Sequence, residues 1–217
     1  GVTRASPLIE QPLLTSYNGR VEAILARGET AEDIARLAPK VLDGTLGELT
    51  PNAGNVAIGK QLAQNLGARV GDTVTIINPS GQTTPFGTVP RQVAYRVSAI
   101  FEIGVYDYDE AFVVMPIADA QTLLLTGDTI GMIEVTTEDP DQVNELLQPL
   151  AQRLAGQAVV TDWKTINASL FEALQVERVA MFFALSIIVL VAAFNILSSL
   201  IMLVRSKTRD IAILRTM

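Results

Sequence analysis

Val179-Ala-Met-Phe-Phe-Ala-Leu-Ser-Ile-Ile-Val-Leu-Val-Ala-Ala-Phe-Asn195-Ile-Leu-Ser-Ser-Leu-Ile-Met-Leu-Val204 is a run of 26 residues without a charge. Its only polar side chains are Ser186, Asn195, Ser198 and Ser199. Coiled as an α-helix it is about 39 Å long, enough to cross the roughly 30 Å hydrocarbon core of a bilayer with some tilt. Core helices of water-soluble proteins rarely stay wholly apolar beyond about 14 residues, and a signal peptide sits at the N-terminus. The run predicts a transmembrane helix.

Its flanks predict the orientation. Residues 205–217 hold four basic side chains and one acidic, a net +3, whereas residues 1–178 hold 12 basic and 22 acidic, a net −10. Positive flanks stay cytoplasmic, so the tail is expected inside and the large N-terminal part outside. The chain opens on Gly1 and stops at Met217 in mid-pattern, so it is expected to be a fragment of a longer, permease-like chain with an earlier membrane helix.

Over all 217 residues, 16 basic and 23 acidic side chains give a net charge of −7, which argues against a nucleic-acid partner. The chain has neither Cys nor His. That excludes a thiol nucleophile, a zinc site of the usual ligands and any His-dependent triad. There is no Gly-x-x-x-x-Gly-Lys-Ser/Thr phosphate loop, and Lys60 and Lys164 lack the serine partner of a Ser–Lys hydrolase. Asp107, Asp109 and Glu110 lack the glycine and terminal glutamate of a calcium loop and read as a solvated loop. Neither catalysis nor a bound cofactor or metal is expected.

The outer part alternates strand and helix signals. Asn18-Gly19 between Leu13–Tyr17 and Arg20–Leu25 predicts a hairpin, because both turn positions need positive φ. Residues 29–42 read as a short helix and 44–54 as a looser Gly/Pro segment. Ile58 to Leu66 reads as a helix closed by Gly67, followed by a strand over 70–77. Residues 79–92 are rich in Pro, Gly and Thr. Strands are expected at 93–101, 111–115, 130–136 and 158–161, and helices at 116–125 and 141–154. A last helix is expected to run unbroken from about Asp162 into the span. Asn195, polar near the middle of the span, is expected to face protein rather than lipid, through a helix–helix hydrogen bond or, alternatively, on a transport path.

The span and tail, Val191-Ala-Ala-Phe-Asn195-Ile-Leu-Ser-Ser-Leu-Ile-Met-Leu-Val-Arg-Ser-Lys207-Thr-Arg209-Asp210-Ile-Ala-Ile-Leu-Arg215-Thr-Met217, resemble the second membrane helix of lipoprotein-releasing permeases. These are the LolC/LolE proteins of the MacB/FtsX class of ABC transporters. The family usually reads Glu-Ile-Ala-Ile-Leu where this chain has Asp210. Ile58-Gly-x-x-Leu62-x-x-x-Leu66-Gly67-x-x-x-Gly71-Asp72 is similar to the family's helix-turn-strand. Thr84-Pro85-Phe86-Gly87-Thr88-Val89-Pro90 resembles the hook by which LolC-type subunits, or the hybrid LolF, hold the periplasmic carrier LolA. Phe86 stands where the family often has Met, and Arg91 and Gln92 fall at the polar flank of the hook.

The resemblance implies a fold and a set of partners. The fold is α+β: a two-lobed periplasmic domain over residues 1–164, with an inserted lobe at roughly 54–115 and the hook hairpin at 84–90. A stalk and transmembrane helix would follow over 165–204, and a cytoplasmic segment over 205–217, as part of a four-helix MacB-type permease. The implied function is a non-catalytic permease subunit in the bacterial inner membrane, releasing lipoproteins to a LolA-like carrier. Arg209, Asp210, Ile211, Ala212, Ile213, Leu214 and Arg215 would lead into the coupling helix on a LolD-like ATPase. Val179, Met181, Phe182 and Phe183 could line a path for the lipid chains of the lipoprotein. The second permease subunit would be LolE-like or another copy. Two alternatives stand beside this: another MacB/FtsX-class permease for efflux or mechanotransmission, and a single-span receptor with a soluble head.

Overall fold

Asn18 and Gly19, at φ 47° and 81°, fold β1 (Val2–Tyr17) onto β2 (Arg20–Glu29) as the turn chemistry predicts. The computed structural model describes residues 1–84, 87–140 and 143–216, which divide into two compact units, Gly1–Asp139 and Pro140–Met217.

In the first unit, β4 (Asn55–Gly59), β5 (Thr73–Thr84), β6 (Gly87–Phe101) and β7 (Phe112–Pro116) continue the sheet in the order β2-β7-β4-β6-β5-β1. Because β1 pairs with β5 as well as β2, these six strands close into a ring. The β2–β7 and β4–β6 pairs are parallel and the rest antiparallel. A short β3 (Val41–Gly44) pairs with β6. Only Ile9–Tyr17 of β1 pairs with β2; Val2–Leu8 instead pair with β8 (Met132–Thr137) in a separate antiparallel ribbon.

Alternation along the strands builds the core. Leu13, Ile24, Ala26, Val56, Ile58, Val74, Ile76, Val97, Val113 and Met115 form one buried cluster. Burying each large side chain of this kind contributes about 1.5–3 kcal/mol before entropy is counted. Two helices complete it: α2 (Lys60–Leu66) through Leu62 and Leu66, and α4 (Ile117–Leu124) through Ala120 and Leu123. A bulge at Ser98 then reverses the alternation in β6, so Ala99 and Phe101 join a second cluster with Ile34, Phe112 and Val114. The Ser98 hydroxyl donates to the Val56 carbonyl at 3.3 Å across that bulge. Ile34 comes from α1 (Ala31–Ala35).

Several sequence expectations need correction here. The helix expected over 29–42 is one turn, α1, because Pro39 starts a separate 3₁₀ turn over Ala38–Lys40. Ile58 belongs to β4, where it pairs with β6 and β7, and only the residues after Gly59 are helical. The acidic segment is not a solvated loop but α3 (Tyr106–Ala111). Asp109 is only 6% exposed, and its carboxylate accepts the Ile103 and Gly104 N–H groups at 2.7 and 3.1 Å. Residues 158–161 form no strand; Val159 is 94% exposed with no strand beside it among the described residues.

The second unit is helical: α5 (Val143–Arg153), α6 (Trp163–Ile166) and α7 (Ala168–Thr216). Asp162 caps α6 by accepting the Thr165 N–H at 2.5 Å. The Trp163 indole donates to the Pro140 carbonyl at 3.1 Å and meets the Phe171 ring edge-on at 5.4 Å. The chain is not unbroken from Asp162, since Asn167 leaves helical geometry at φ −102°, ψ 26°. Beyond it, α7 runs for 49 residues, about 74 Å. Its segment Ala168–Lys207 is long and apolar enough to cross a membrane and is nowhere buried.

Charged side chains gather where the β1–β8 ribbon leaves the ring. Each nitrogen of the Arg27 guanidinium meets a different carboxylate: Nε to Glu29 at 2.9 Å, Nη1 to Glu10 at 3.1 Å and Nη2 to Glu134 at 2.9 Å. The same guanidinium lies 5.0 Å over the Phe112 ring. Glu134 also approaches Arg4 at 3.9 Å, and Arg4 pairs with the buried Asp33 on α1. Burial pushes the Asp33 carboxyl up, but hydrogen bonds from Thr30, Ser6 and Arg4, with the charge of Arg4, hold it below its usual range. Burial pushes Glu29 up in spite of Arg27.

Two predictions follow from this packing. A Cβ on Gly59 would stand 2.2 Å from the Asp109 carbonyl oxygen, so Gly59→Ala should cost about 1–3 kcal/mol, read as a lowered thermal midpoint. The lowered Asp33 pKa stabilises the fold at any pH above its ordinary value of 3.8, and the gain is lost as pH falls through the folded-state value. Asp33→Asn should therefore cost about 1–3 kcal/mol at pH 7, with the gap to wild type closing in melts below about pH 3.8.

Candidate functional site

A two-stranded arm leaves the ring between β5 and β6. Pairing of β5 with β1 ends at Ile77, and pairing of β6 with β4 begins at Arg96, so among the described residues from 78 to 91 the two strands pair only with each other. At the root of the arm the register slips: Asn78 faces Arg91, yet Gln82 faces Val89, which leaves residues 79–81 opposite Pro90. The Asn78 carboxamide oxygen accepts the Ser80 N–H at 3.0 Å and holds this kink. Gly81 permits it, since a Cβ there would lie 2.1 Å from the Val89 carbonyl oxygen and 2.6 Å from the Arg91 nitrogen. Pro79 and Pro90 offer no N–H, which discourages a foreign strand from adding to the arm.

The residues expected to form the hook fall at the end of this arm. Thr84 pairs with Gly87, Thr88 with Thr83 and Val89 with Gln82, while Pro85 and Phe86 lie outside the described residues. Val89 and Pro90 are exposed. Gln92 is an exposed residue paired with Ile77. Arg91 is half-buried, and its Nε finds no hydrogen-bond partner among the described residues. Near it, burial first and then Asp119 push the Tyr95 hydroxyl up to about 12, with Arg91 opposing. The root of the arm thus carries a half-buried cationic side chain whose Nε has no hydrogen-bond partner among the described residues.

The remaining candidates all lie on α7. Val179, Met181, Phe182 and Phe183 are exposed, and the two phenyl rings meet edge-on at 5.9 Å. Asn195 and Ser199 are one turn apart and share a face with Leu203. Ser186 and Ser206 satisfy their hydroxyls on the carbonyls of Phe182 and Leu203. Residues Arg209, Asp210, Ile211, Ala212, Ile213, Leu214 and Arg215 continue as helix to Thr216, and Met217 lies outside the described residues.

Two features escaped the sequence reading. The Arg27 cluster draws its members from positions 4, 10, 27, 29, 33 and 134, a spacing with no local pattern. The unpaired length of the arm depends on where β1 and β4 stop, which is a property of the sheet. Only the switch from alternating apolar residues over 70–77 to Pro, Gly and Thr over 79–92 hinted at it.

Known proteins resemble this chain in sequence over its whole length. The chain is 36% identical over 219 residues to the lipoprotein-releasing system transmembrane protein LolC of Xylella fastidiosa, covering 100% of this chain and 52% of that protein. It is 34% identical over 221 residues to the LolC of Neisseria meningitidis, covering 100% and 53%. The chain thus spans about half the length of the curated relatives it matches, and the likeness to LolC-type permeases expected from the span and tail holds from end to end. The crystal structure of the periplasmic region of MacB from Actinobacillus actinomycetemcomitans aligns with a TM-score of 0.46 at 12% identity, over 78% of this chain and 76% of that one. The sequence profile of the MacB-like periplasmic core domain matches residues 2–153, which takes in the ring, the arm, the ribbon and α5. A mixed α/β domain of that kind followed by a long apolar helix makes this chain a member of the MacB-like periplasmic core domain family.

Proposed function

We propose that this chain is part of a permease subunit of an ABC transporter that releases lipoproteins from the bacterial inner membrane. What carries the reading is its similarity, over its whole length, to proteins of the lipoprotein-releasing system. In this reading residues 1–164 lie in the periplasm, 165–204 form the stalk and membrane helix, and 205–217 are cytoplasmic, in keeping with the −10 and +3 charge division. The subunit holds no cofactor and performs no chemistry. A LolD-like ATPase supplies the energy, received through Arg209 to Arg215 at the end of a helix stiff enough to transmit it.

The arm is the docking element for a LolA-like carrier. A hairpin that pairs only with itself among the described residues extends from the ring, and an apolar residue such as Phe86, which follows Thr84-Pro85 in the sequence, is the kind of anchor that dominates interfaces. Arg91 and Gln92 at its root supply the polar flank. Val179, Met181, Phe182 and Phe183 offer adaptable apolar contacts to acyl chains, and Asn195 bonds a neighbouring helix of the permease or of its LolE-like or identical partner.

Removing residues 84–90 should abolish carrier capture while leaving the ATPase rate of the assembled transporter intact; capture that survives the deletion returns the chain to the wider MacB/FtsX class. Gly81→Ala should act more subtly. By forcing the kink open it should weaken carrier binding about tenfold or more, measured by carrier titration, with the thermal midpoint of the ring nearly unchanged.

A further inference from the structure

The ribbon of Val2–Leu8 with β8 is the first unit's exit, since β8 is the last strand before the chain continues into residues 140–217. Among the described residues the backbone pairing of β8 reaches only β1. A two-stranded ribbon alone is marginally stable in water, so what ties β8 to the ring decides how firmly the exit is held. Glu134 is the tie. Its carboxylate meets Arg27 on β2 at 2.9 Å through Oε2 and Arg4 on β1 at 3.9 Å through Oε1. From those two arginines the ladder continues to Glu10, Glu29 and, on α1, Asp33. Thr136, two residues on, accepts from Arg4 at 3.2 Å. Arg27 is 17% exposed and Glu134 45%, so the pair is better shielded than the solvent-exposed Arg96–Glu48 pair elsewhere on the unit.

We propose that Glu134 latches the β1–β8 ribbon to the ring, and that releasing the latch loosens the exit of the first unit so that movement passed along the chain no longer reaches the ring. The groups facing Glu134 are Arg27 and Arg4, held in turn by Glu10, Glu29 and Asp33. With its carboxylate replaced by an amide, both arginines keep their other partners, so the ring persists while β8 loses its charged anchor. The coupling half of the proposal rests on the permease reading given above; the latch itself does not.

The test compares Glu134→Gln with Glu102→Gln, a carboxylate whose surface pair with Lys60 at 2.8 Å lies away from the ribbon. Both are made in the full-length permease within its assembled transporter. Hydrogen exchange of the β8 amides, Met132–Thr137, should speed up about tenfold in Glu134→Gln, with β4 and the paired part of β6 unchanged and Glu102→Gln like wild type. Lipoprotein released per ATP hydrolysed should fall several-fold in Glu134→Gln alone, at an unaltered ATPase rate. Unchanged exchange in β8 overturns the latch. Faster exchange with full release overturns its coupling role. If the wild-type transporter releases no lipoprotein, the permease reading fails, and the exchange experiment still decides the latch.

Discussion

A helix that exposes 26 consecutive uncharged residues is stable in a bilayer rather than in water, and this is the strongest physical constraint on the chain. The apolar surface of α7 is exposed along the segment long enough to cross a membrane. The first unit therefore supplies its own core, and does so by closing six strands into a ring with α2 and α4 filling one side. The membrane also sorts the charge: the surplus of acid stays on the head and the surplus of base on the tail.

Closure of the ring dictates how the head can meet other molecules. A closed ring of strands has no free edge for another strand to join, but parts of the chain leave it. Two such parts exist among the described residues. One is the β5–β6 arm, whose register slips at residues 78–82; the other is the β1–β8 ribbon, tied by charge to Arg27. The same long strand, β1, takes part in ring and ribbon, and changes partner between Leu8 and Ile9. Arg27 stands beside that change, with one bond to β1, one within β2 and one to β8.

Local chemistry made much of this legible. The Asn18-Gly19 hairpin, the Gly67 cap and the opening of α4 at Pro116 each depend on backbone preferences of one or two residues, and each stands where the residues predict it. Ile58 was misplaced because an apolar residue four before Leu62 suits a helix and a buried strand equally well, and only pairing with β6 and β7 decides between them. Asp109 read as solvated for a similar reason: its partners are the N–H groups of a loop turned back on it by Gly104 at φ +98°, and composition does not reveal such a turn.

The long apolar helix, the charge asymmetry on its two sides and the likeness to lipoprotein-releasing permeases were legible in the chain alone, because hydropathy, charge and a linear motif are properties of neighbours along the chain. Long-range packing instead sets the closure of the strands, the lack of a third strand on the arm beyond Ile77 among the described residues, and the meeting at Arg27 and Arg4 of six charged residues spread over more than a hundred positions. Those outcomes depend on which strands find each other, and that choice is made by the whole core at once.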